Sequence, residues 1–415
     1  MTTENMPLGR QTVCVVGLGY IGLPTAATLA RSGYAVIGYD ISEAAVESVN
    51  SGKAHFAEPG LDDLVHDVVE SGLMRAVLEP PAADIYLIAV PTPVGPQSQP
   101  DLKHVFDAAE AIAPHLKAGV LVLLESTSPI GATRQMIARL AAARPDLRFP
   151  NPNDPAAGSD VYVAYSPERV IPGRTLEELA SNARVIGGAT PEAAQRAAAV
   201  YRALTAGELL LTDDRSAECV KLTENAFRDV NIAFANELSL ICDRLGLDVW
   251  TVIRLANKHP RVDILRPGAG VGGHCIAVDP WFLVASAPEQ ARLIRTAREV
   301  NDSKPDFVIG KVKALMDADP SATLGCLGLT FKPDVGDFRE SAALSIAQQL
   351  SALYPGRVVC ADPFDDELED PSGLTLTSTD HAMACSVVVA LVSHKDFRRP
   401  TPPMGRLVDA CGLWQ

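Results

Sequence analysis

The chain has 415 residues, which at about 100–200 residues per domain predicts two to four domains. Lys and Arg number 36 against 51 Asp and Glu, and no basic run offsets the net charge of −15, so binding to nucleic acid or to an anionic membrane is disfavoured. The eight cysteines are scattered without CxxC spacing, which in a chain this long indicates reduced thiols in a cytoplasmic protein.

The first elements alternate between strand and helix. Short runs rich in β-branched and other apolar residues predict buried strands at 12–16, 34–39, 85–90, 120–124, 161–165 and 183–187. Helical spacing of apolar residues predicts helices at 23–32 and 102–116. This alternation is typical of a parallel sheet covered by helices on both faces.

From about residue 213 the pattern becomes helical. The stretch 216–245 contains neither Pro nor Gly and has apolar residues at helical spacing, so one long helix ending at Gly246 is predicted. Shorter helices are predicted at 249–256, 281–285 and 289–303. Strand signals that predict a second, smaller α/β unit return at 323–329, 358–361 and 386–392.

The uncharged stretch 11–30 is long enough to suggest an export signal or a membrane span, but a strand, a glycine turn and a helix explain it better. Gly17, Gly19 and Gly22 form a G-x-G-x-x-G motif there. After a strand and before a helix, this motif predicts a dinucleotide site, because a pyrophosphate can approach the turn closely. Asp40 closes the next strand, where a carboxylate binds a ribose and repels a 2′-phosphate, so NAD is predicted rather than NADP. The alternative is a glycine turn without a ligand.

A second candidate is the segment 271–279, VGGHCIAVD, in which two glycines precede Cys275. Asp279 and Pro280 are typical of a helix N-cap and first turn, and a helix N-terminus favours a nearby thiolate. At an ordinary pKa of about 8.5 only about 3% of a thiol is ionised at pH 7, so a nucleophilic Cys275 needs such help. A GGxC pattern alone is more often structural, and the other seven cysteines lie in apolar runs typical of inert thiols.

A polar stripe lies on the long helix. Lys221, Asn225 and Arg228 are spaced so that they share one helix face. Such a stripe is usually a solvated surface, and it indicates a site only if it faces Cys275.

Two loops and two histidines complete the candidates. The segments 165–173 and 329–341 place ionisable residues with Pro or Gly after predicted strands, where α/β folds bind ligands, although either could be an ordinary capped loop. His259 and His274 belong to no cluster of ligand-type residues, so no metal site is predicted.

These motifs together resemble the UDP-glucose/GDP-mannose dehydrogenase family of nucleotide-sugar 6-dehydrogenases over almost the whole chain. The resemblance is carried, in chain order, by VVGLGYIGLPTA, PTP (91–93), EST (125–127), SPER (166–169), KLTENAFRDVNIAFANE (221–237), GGHC (272–275) and FKPDVGDFRES (331–341). Residues 257–282 are most similar to the branch that oxidises UDP-N-acetyl-D-mannosamine, with the UDP-N-acetylglucosamine branch as the close alternative. The UDP-glucose branch has Glu at the position of Pro172, which argues against glucose.

The resemblance implies an α/β fold in three parts. Residues 1–205 would form a Rossmann-type parallel-sheet domain that binds NAD, and residues 206–305 a central helical region with the long helix and the catalytic cysteine loop. Residues 306–415 would form a smaller Rossmann-like α/β domain that binds the UDP-sugar. A homodimer formed through the long helix and a role in surface polysaccharide biosynthesis are also implied.

The activity implied by the resemblance is a four-electron oxidation of a sugar C6 alcohol to a carboxylate, with two NAD molecules each accepting a hydride. Cys275 would form a thiohemiacetal and then a thioester, which water hydrolyses. Lys221 and Asn225 would stabilise oxyanions, and Asp279 and Glu168 would serve in water activation and proton transfer.

The family's binding residues carry over to two groups of positions. Those implied for the cofactor are Gly17, Gly19, Tyr20, Ile21, Gly22, Asp40, Pro91, Thr92, Thr127 and Arg339. Thr127 would also orient water. Those implied for the sugar nucleotide are Glu168, Arg169, Val170, Lys221, Asn225, Arg228, Arg261, Gly270, Gly272, Gly273, Phe331 and Lys332. A hypothesis of another class is a catalytically silent NAD-binding regulatory protein, against which the joint presence of the predicted catalytic residues argues.

Overall fold

The computed structural model describes residues 11–93, 95, 99–151, 158–171, 173–273, 275–368 and 370–415. Pro172 and His274, both singled out in the sequence, lie outside the described residues. The chain divides into two compact units, which we call the N-terminal unit (Met1–Thr223 and Trp281–Ser286) and the C-terminal unit (Glu224–Pro280 and Ala287–Gln415).

An eight-stranded sheet forms the centre of the N-terminal unit. Its strands in chain order are β1 (Thr12–Val16), β2 (Ala35–Tyr39), β3 (Met74–Val77), β4 (Ile85–Ile88), β5 (Leu121–Leu124), β6 (Tyr162–Tyr165), β7 (Arg184–Gly188) and β8 (Leu209–Asp213). They are arranged in the order β3-β2-β1-β4-β5-β6-β7-β8. Among these described strands every neighbouring pair is parallel except β6 and β7, which run antiparallel.

Both faces of this sheet are buried. Val13 and Val15 of β1 belong to one hydrophobic core, and Cys14 and Val16 belong to another. Alternate residues of one strand therefore enter two different cores, as in a parallel sheet covered on both sides. The helices of this unit that precede the long helix are α1 (Gly22–Arg31), α2 (Glu43–Asn50), α3 (Leu61–Glu70), α4 (Lys103–Ile112), α5 (Ala132–Ala143), α6 (Thr175–Ser181) and α7 (Pro191–Tyr201).

The central helical region begins with α8 (Asp214–Leu245), which starts two residues before the predicted helix and ends at the predicted residue. The unit boundary falls within this helix, after Thr223. The next helices are α9 (Val249–Ala256), α10 (Asp279–Ser286) and α11 (Arg292–Asp317).

The prediction that α11 ends near residue 303 is wrong. The helix continues through Pro305 as far as Asp317. Proline removes one helical hydrogen bond, which ordinarily ends a helix. Here the residues beyond it are held in the core, because Val308, Val312 and Met316 are buried.

A four-stranded sheet forms the core of the C-terminal unit. Its strands are β9 (Leu324–Leu327), β10 (Val358–Ala361), β11 (Val387–Ala390) and β12 (Arg406–Asp409), all parallel, in the order β10-β9-β11-β12. The remaining helices are α12 (Ala342–Leu353) and α13 (Thr379–Met383). The predicted fold class, two α/β sheets separated in sequence by a helical region, is confirmed. Within the described ranges, every helix is too short or too polar to cross a membrane.

Candidate active site

The predicted site residues of the N-terminal unit follow the carboxyl ends of neighbouring strands. The glycine motif at 17–22 follows β1, Asp40 follows β2, Thr92 follows β4, Thr127 follows β5 and Glu168 follows β6. Because β2, β1, β4, β5 and β6 are parallel neighbours, these positions lie along one edge of the sheet. Ligands of α/β folds bind at this edge.

The glycine motif has the geometry of a diphosphate cradle. Gly17 has φ +91°, and a Cβ there would lie 2.6 Å from the Ala89 carbonyl oxygen. A Cβ at Gly22 would lie 1.8 Å from the Gly17 carbonyl oxygen, so both positions require glycine. No described atom lies within 4 Å of a Cβ built at Gly19, which leaves open space at the start of α1. Backbone N–H groups at such a helix N-terminus bind phosphate groups.

Asp40 connects this turn to the second strand. Its carboxylate accepts hydrogen bonds from the Leu18 N–H at 2.8 Å and from the Ser42 N–H at 2.9 Å. Tyr20 stacks on Phe56 with ring centroids 4.2 Å apart. The other predicted cofactor residues of this unit are exposed Pro91 and half-buried Ile21, Thr92 and Thr127.

Glu168 lies in a buried ionic group that we call the Arg184 cluster, formed by Glu125, Glu168 and Arg184. The Arg184 guanidinium donates to Glu125 at 2.8 Å and also to Glu168. Glu168 further accepts the Arg169 N–H at 2.6 Å, and the Arg169 guanidinium donates to the Ala183 carbonyl. Glu168 is thus held rigidly at the end of β6.

Cys275 is exposed and begins a tight turn. Its carbonyl accepts the N–H groups of Val278 at 3.1 Å and Asp279 at 2.8 Å. Asp279 is the first residue of α10 rather than its N-cap, one residue away from the prediction. The Asp279 carboxylate is buried and accepts a hydrogen bond from Asn225 Nδ2 at 2.5 Å.

The polar stripe of α8 is therefore not a uniform solvated face. Lys221 is only 7% exposed, Asn225 is half-buried and Arg228 is exposed. The Asn225 hydrogen bond joins the stripe to the turn that begins at Cys275.

Three glycines before Cys275 pack tightly within the C-terminal unit. A Cβ at Gly270 would lie 2.7 Å from Ala342 Cβ, and one at Gly272 would lie 2.4 Å from the Glu340 carbonyl oxygen. Gly273 has φ +83°, and a Cβ there would lie 3.1 Å from the Phe331 ring.

A cavity of about 260 Å³ lies beside this segment and is lined by Gly270, Gly272 and Phe331. The structure therefore brings three of the predicted sugar-nucleotide residues to one cavity. Four further predicted residues of this unit are on the surface: Arg228, Arg261, Lys332 and Arg339, the last bonded to Asp337.

The cavity wall depends on residues that the motifs did not single out. Asn236 of α8 accepts the Gly268 N–H at 2.9 Å and donates to Asn301 Oδ1 at 2.8 Å. Asn301 donates to Asp229 at 2.8 Å, and Asp229 is paired with Arg298 at 2.5 Å. Two members of this chain, Asp229 and Asn236, lie in the stretch 221–237, so the motif contained a signal that the residue-by-residue assignment missed.

A buried histidine supports the loop after β9. His394 is 0% exposed, its Nε2 lies 3.0 Å from Thr330 Oγ1, and its Nδ1 accepts the Asp334 N–H at 3.0 Å. Asp362 accepts the Leu329 N–H at 2.6 Å beside it. A lone histidine gives no sequence signal for such a role. In the part of the chain that the structure describes, no group of three or more His, Cys, Asp and Glu is placed to bind a metal ion.

Comparison with known families decides the identity. Models of the UDP-glucose/GDP-mannose dehydrogenase family match the NAD binding domain at residues 11–205, the central domain at 215–303 and the UDP binding domain at 325–409. The chain belongs to this family. It is an NAD-dependent nucleotide-sugar dehydrogenase, as the sequence predicted.

Similar proteins match this dehydrogenase over nearly its full length. It is 52% identical over 418 residues to the UDP-N-acetyl-D-mannosamine dehydrogenase of Salmonella typhi, covering 97% of this chain and 99% of that protein. It is 50% identical over 409 residues to the NDP-N-acetyl-D-galactosaminuronic acid dehydrogenase of Ralstonia nicotianae, and the match covers 97% of this chain and 96% of that protein. The solved structure of the UDP-D-ManNAc dehydrogenase from Pyrococcus horikoshii aligns with a TM-score of 0.85 at 34% identity. The alignment covers 97% of this chain and 96% of that one.

The geometry of the N-terminal unit fits the cofactor of this dehydrogenase. The two obligatory glycines, Gly17 and Gly22, and the open position at Gly19 leave room for a pyrophosphate to approach the backbone, as NAD requires. Asp40 stands at the end of β2, where a carboxylate binds the adenosine ribose.

Proposed function

We propose that this dehydrogenase oxidises the C6 hydroxyl of UDP-N-acetyl-D-mannosamine to the carboxylate of UDP-N-acetyl-D-mannosaminuronate, with two NADH formed per sugar, for surface polysaccharide biosynthesis. The observation that supports the chemistry is the exposed Cys275 on a turn that ends at Asp279, which Asn225 binds at 2.5 Å. A nucleophile, a carboxylate and an amide donor thus belong to one hydrogen-bonded group. The choice of sugar is supported by the 52% identity to the Salmonella typhi enzyme.

The first half of the proposed reaction converts the alcohol to an aldehyde and captures it. NAD held by the glycine motif and Asp40 would supply the hydride acceptor for both oxidations. Glu168 takes the proton that the hydroxyl loses. The Cys275 thiolate adds to the aldehyde carbon, and Lys221 and Asn225 stabilise the resulting oxyanion, which gains a proton to give a thiohemiacetal.

The second half ends in hydrolysis. Loss of the second hydride and of the hydroxyl proton leaves a thioester on Cys275. Asp279 and Glu168 activate water, whose oxygen adds to the thioester carbon as its proton passes to a carboxylate. The carbon–sulfur bond then breaks, and Cys275 leaves as a thiolate, which is a better leaving group than an alkoxide. Thr127 orients this water.

We propose that the UDP-sugar binds in the C-terminal unit at the 260 Å³ cavity. The UDP binding domain of the family matches residues 325–409, which contain one wall of this cavity. Phe331 and the glycines at 270 and 272 form its lining, and Lys332 follows as the charged partner for a diphosphate.

We also propose a cytoplasmic homodimer that forms through α8. Phe227, Phe234, Ile241 and Leu245 are 69%, 54%, 49% and 65% exposed. Their spacing of seven, seven and four residues places them on one face of the helix. A second copy of the same face would cover this apolar stripe. In this proposal the functional divisions remain 1–205 for NAD, 206–305 for the dimer and cysteine loop, and 306–415 for the UDP-sugar.

The substrate is tested by NADH formation from a panel of UDP-sugars: the N-acetylmannosamine, N-acetylglucosamine, N-acetylgalactosamine and glucose derivatives. We expect the highest kcat/KM for UDP-N-acetyl-D-mannosamine and two NADH per sugar. A highest value for UDP-N-acetylglucosamine would establish the alternative assignment, and one for glucose would overturn the assignment to an acetamido sugar. NAD binding without turnover of any sugar would favour the silent regulatory protein.

The thioester is tested by Cys275→Ala. We expect net formation of the uronate to be abolished while the Kd for NAD stays unchanged, because the thiol is needed only for the chemistry. The matched control is Cys219→Ala, which removes another partly exposed thiol and should retain full turnover. Steady uronate production by Cys275→Ala would exclude the covalent mechanism.

Cofactor choice is tested by Asp40→Ala. Loss of the ribose hydrogen bond should weaken NAD binding by about 1–3 kcal/mol, and loss of the negative charge should reduce the discrimination against NADP. Glu47→Gln, which removes an exposed charge from nearby α2, should change neither quantity. Equal use of NADP and NAD by the unmodified enzyme would contradict the role given to Asp40.

A further inference from the structure

A second cavity lies in the C-terminal unit, beside the one proposed for the UDP-sugar. Its volume is about 180 Å³. Sites for drug-sized ligands measure roughly 300–1,000 Å³, so this cavity suits a smaller molecule. Trp250, Phe307 and Leu407 give it apolar walls, and Lys304 of α11 also lines it. Pro267 lines both cavities, so the two adjoin each other.

Lys304 brings a buried positive charge to this cavity. The residue is 3% exposed, and its ammonium lies 4.8 Å from the centroid of the Phe307 ring. The ammonium donates to Ser239 Oγ, which itself donates to the Asn236 carbonyl at 2.5 Å. In the described part of the chain the ammonium forms this one hydrogen bond and no ion pair with a carboxylate. An ammonium has three N–H donors, so two of them are available to a ligand.

The negative groups that line the cavity have partners of their own. Asp243 pairs with Lys311, and Asp248 caps α9 by accepting a backbone N–H at 2.9 Å. Asp409 accepts backbone N–H groups from the four residues 411–414. Among the described charged residues of the lining, Lys304 is therefore the one that lacks a partner for its charge. A buried charge in this state is costly, and a bound anion would stabilise it.

The proposed dimer leaves this cavity accessible. Ser239 and Asp243, which line it from α8, are five and nine residues after Phe234 of the apolar stripe. With 3.6 residues per turn they point about 140° and 180° away from that stripe. A second copy of the chain seated on the stripe would cover the opposite face of the helix.

We propose that this cavity binds a small organic carboxylate, whose oxygens accept hydrogen bonds from the Lys304 ammonium while its apolar body lies against Trp250 and Phe307. The two available N–H donors suit one carboxylate group. The three aspartates of the lining disfavour a ligand with several negative charges, such as a diphosphate. This site goes beyond the proposed function and does not depend on which sugar the enzyme oxidises.

The charge state of Lys304 gives the binding a pH dependence. Burial lowers the pKa of Lys304 to about 8, an effect that nearby Asp243 opposes and nearby Lys311 increases. The ammonium is therefore mostly protonated at pH 7 and mostly neutral at pH 9.5. Because a carboxylate binds the protonated form, its affinity should fall by about tenfold or more between these two pH values.

The test is a calorimetric titration of the full-length protein with benzoate at pH 7. Saturating UDP is present to occupy the neighbouring cavity. We expect saturable binding with a Kd in the millimolar range, as for other small ligands with few contacts. Benzyl alcohol, which has the ring without the charge, should bind about tenfold more weakly.

The decisive variant is Lys304→Met, which removes the charge and keeps a long side chain. Its Kd for benzoate should rise by about tenfold or more. The matched control is Lys313→Met, an exposed lysine of the same helix that pairs with Asp317, and its Kd should not change. If Lys304→Met does not fold, Ala410→Leu replaces it, because it narrows the cavity and keeps the ammonium; benzoate binding should again weaken.

Three results would overturn the proposal. The unmodified protein could show no saturable benzoate binding, or Lys304→Met or Ala410→Leu could bind benzoate as tightly as the unmodified protein does. Benzoate could also bind only when UDP is omitted, which would place the anion in the neighbouring cavity rather than beside Lys304.

Discussion

Arg184 in the N-terminal unit and Arg298 in the C-terminal unit are 3% and 1% exposed, and each binds two carboxylates. Both carboxylates of the Arg184 cluster are buried, with 0% and 8% of their side chains exposed. The partners of Arg298 differ from each other, because Asp229 is 0% exposed whereas Asp302 is 52% exposed.

This difference in burial distinguishes the structural pair of Arg298 with Asp229 from a cluster in which two carboxylates are buried. Around Arg298 one buried negative charge meets one buried positive charge, water solvates Asp302, and Asn301 donates a further hydrogen bond to Asp229. Around Arg184 both carboxylates are largely shielded from water. Two buried arginines that each bind two carboxylates therefore differ in how far water can solvate their partners.

The largest expected effect comes from breaking the structural pair. Arg298→Met leaves the Asp229 carboxylate buried without its cation, which should lower the free energy of unfolding at pH 7 by about 3–5 kcal/mol. The loss should shrink towards pH 4, because Asp229 then takes up a proton. Urea denaturation measures both quantities.

The matched control is Arg292→Met, an exposed position on the same helix, which should stay within about 0.5 kcal/mol of the unmodified protein. Equal losses in the two variants would contradict the role given to the buried pair.

A smaller effect is expected where the Arg298 pair connects to the cavity wall. Asn236→Ala leaves the Gly268 N–H and the Asn301 side-chain oxygen unbonded, at a cost of about 1–3 kcal/mol in unfolding free energy. It should also raise KM for the UDP-sugar while the Kd for NAD is unchanged, because Gly268 lines the cavity. Gln349→Ala, which removes an exposed amide from the same unit, should change neither.

The smallest expected effect concerns pH. Burial raises the pKa of Asp229, and Arg298 and Asn301 oppose this only in part. Burial acts in the same direction on Asp362, but hydrogen bonds from His394 and from backbone N–H groups outweigh it, so the pKa of Asp362 is lowered. The two aspartates should therefore affect stability with opposite signs.

A raised folded-state pKa means that the unfolded chain releases its proton first, so stability falls as pH rises from the ordinary value of 3.8 through the folded pKa. Relative to Asp229→Asn, the unmodified protein should thus lose stability above pH 3.8. Relative to Asp362→Asn, it should lose stability as pH falls below 3.8. Chemical denaturation at a series of pH values measures both stability differences. If the two differences changed with pH in the same direction, one of the two pKa shifts would have been assigned the wrong sign.

The interior strands could be predicted from sequence because they are continuous apolar runs. β4, β5 and β11 are buried along their whole length and were located within two residues at each end. The edge strands β3 (MRAV) and β12 (RLVD) contain charged residues and therefore form no continuous apolar run. Helix α11 extends beyond its predicted end because the burial of apolar residues after Pro305 stabilises it more than the proline destabilises it.

For the candidate site, the family motifs identify the residues but not the side chains or backbone groups that they bind. Glu168 stands in SPER, yet its cation lies 16 residues later on a different strand. The bond between Asn236 and Gly268 spans 32 residues. Such pairs depend on how the chain folds back on itself, which spacing along the sequence does not encode.

The distribution of thiols determines how the purified enzyme must be handled. Cys14 and Cys360 are buried, and burial raises the pKa of Cys14 to about 12, whereas Cys275 is exposed. Oxygen or peroxide therefore reaches the thiol proposed for catalysis before it reaches the core. Storage in air should inactivate the enzyme without unfolding it. Dithiothreitol should restore activity at the sulfenic acid stage, and activity lost after further oxidation to sulfinic acid should not return.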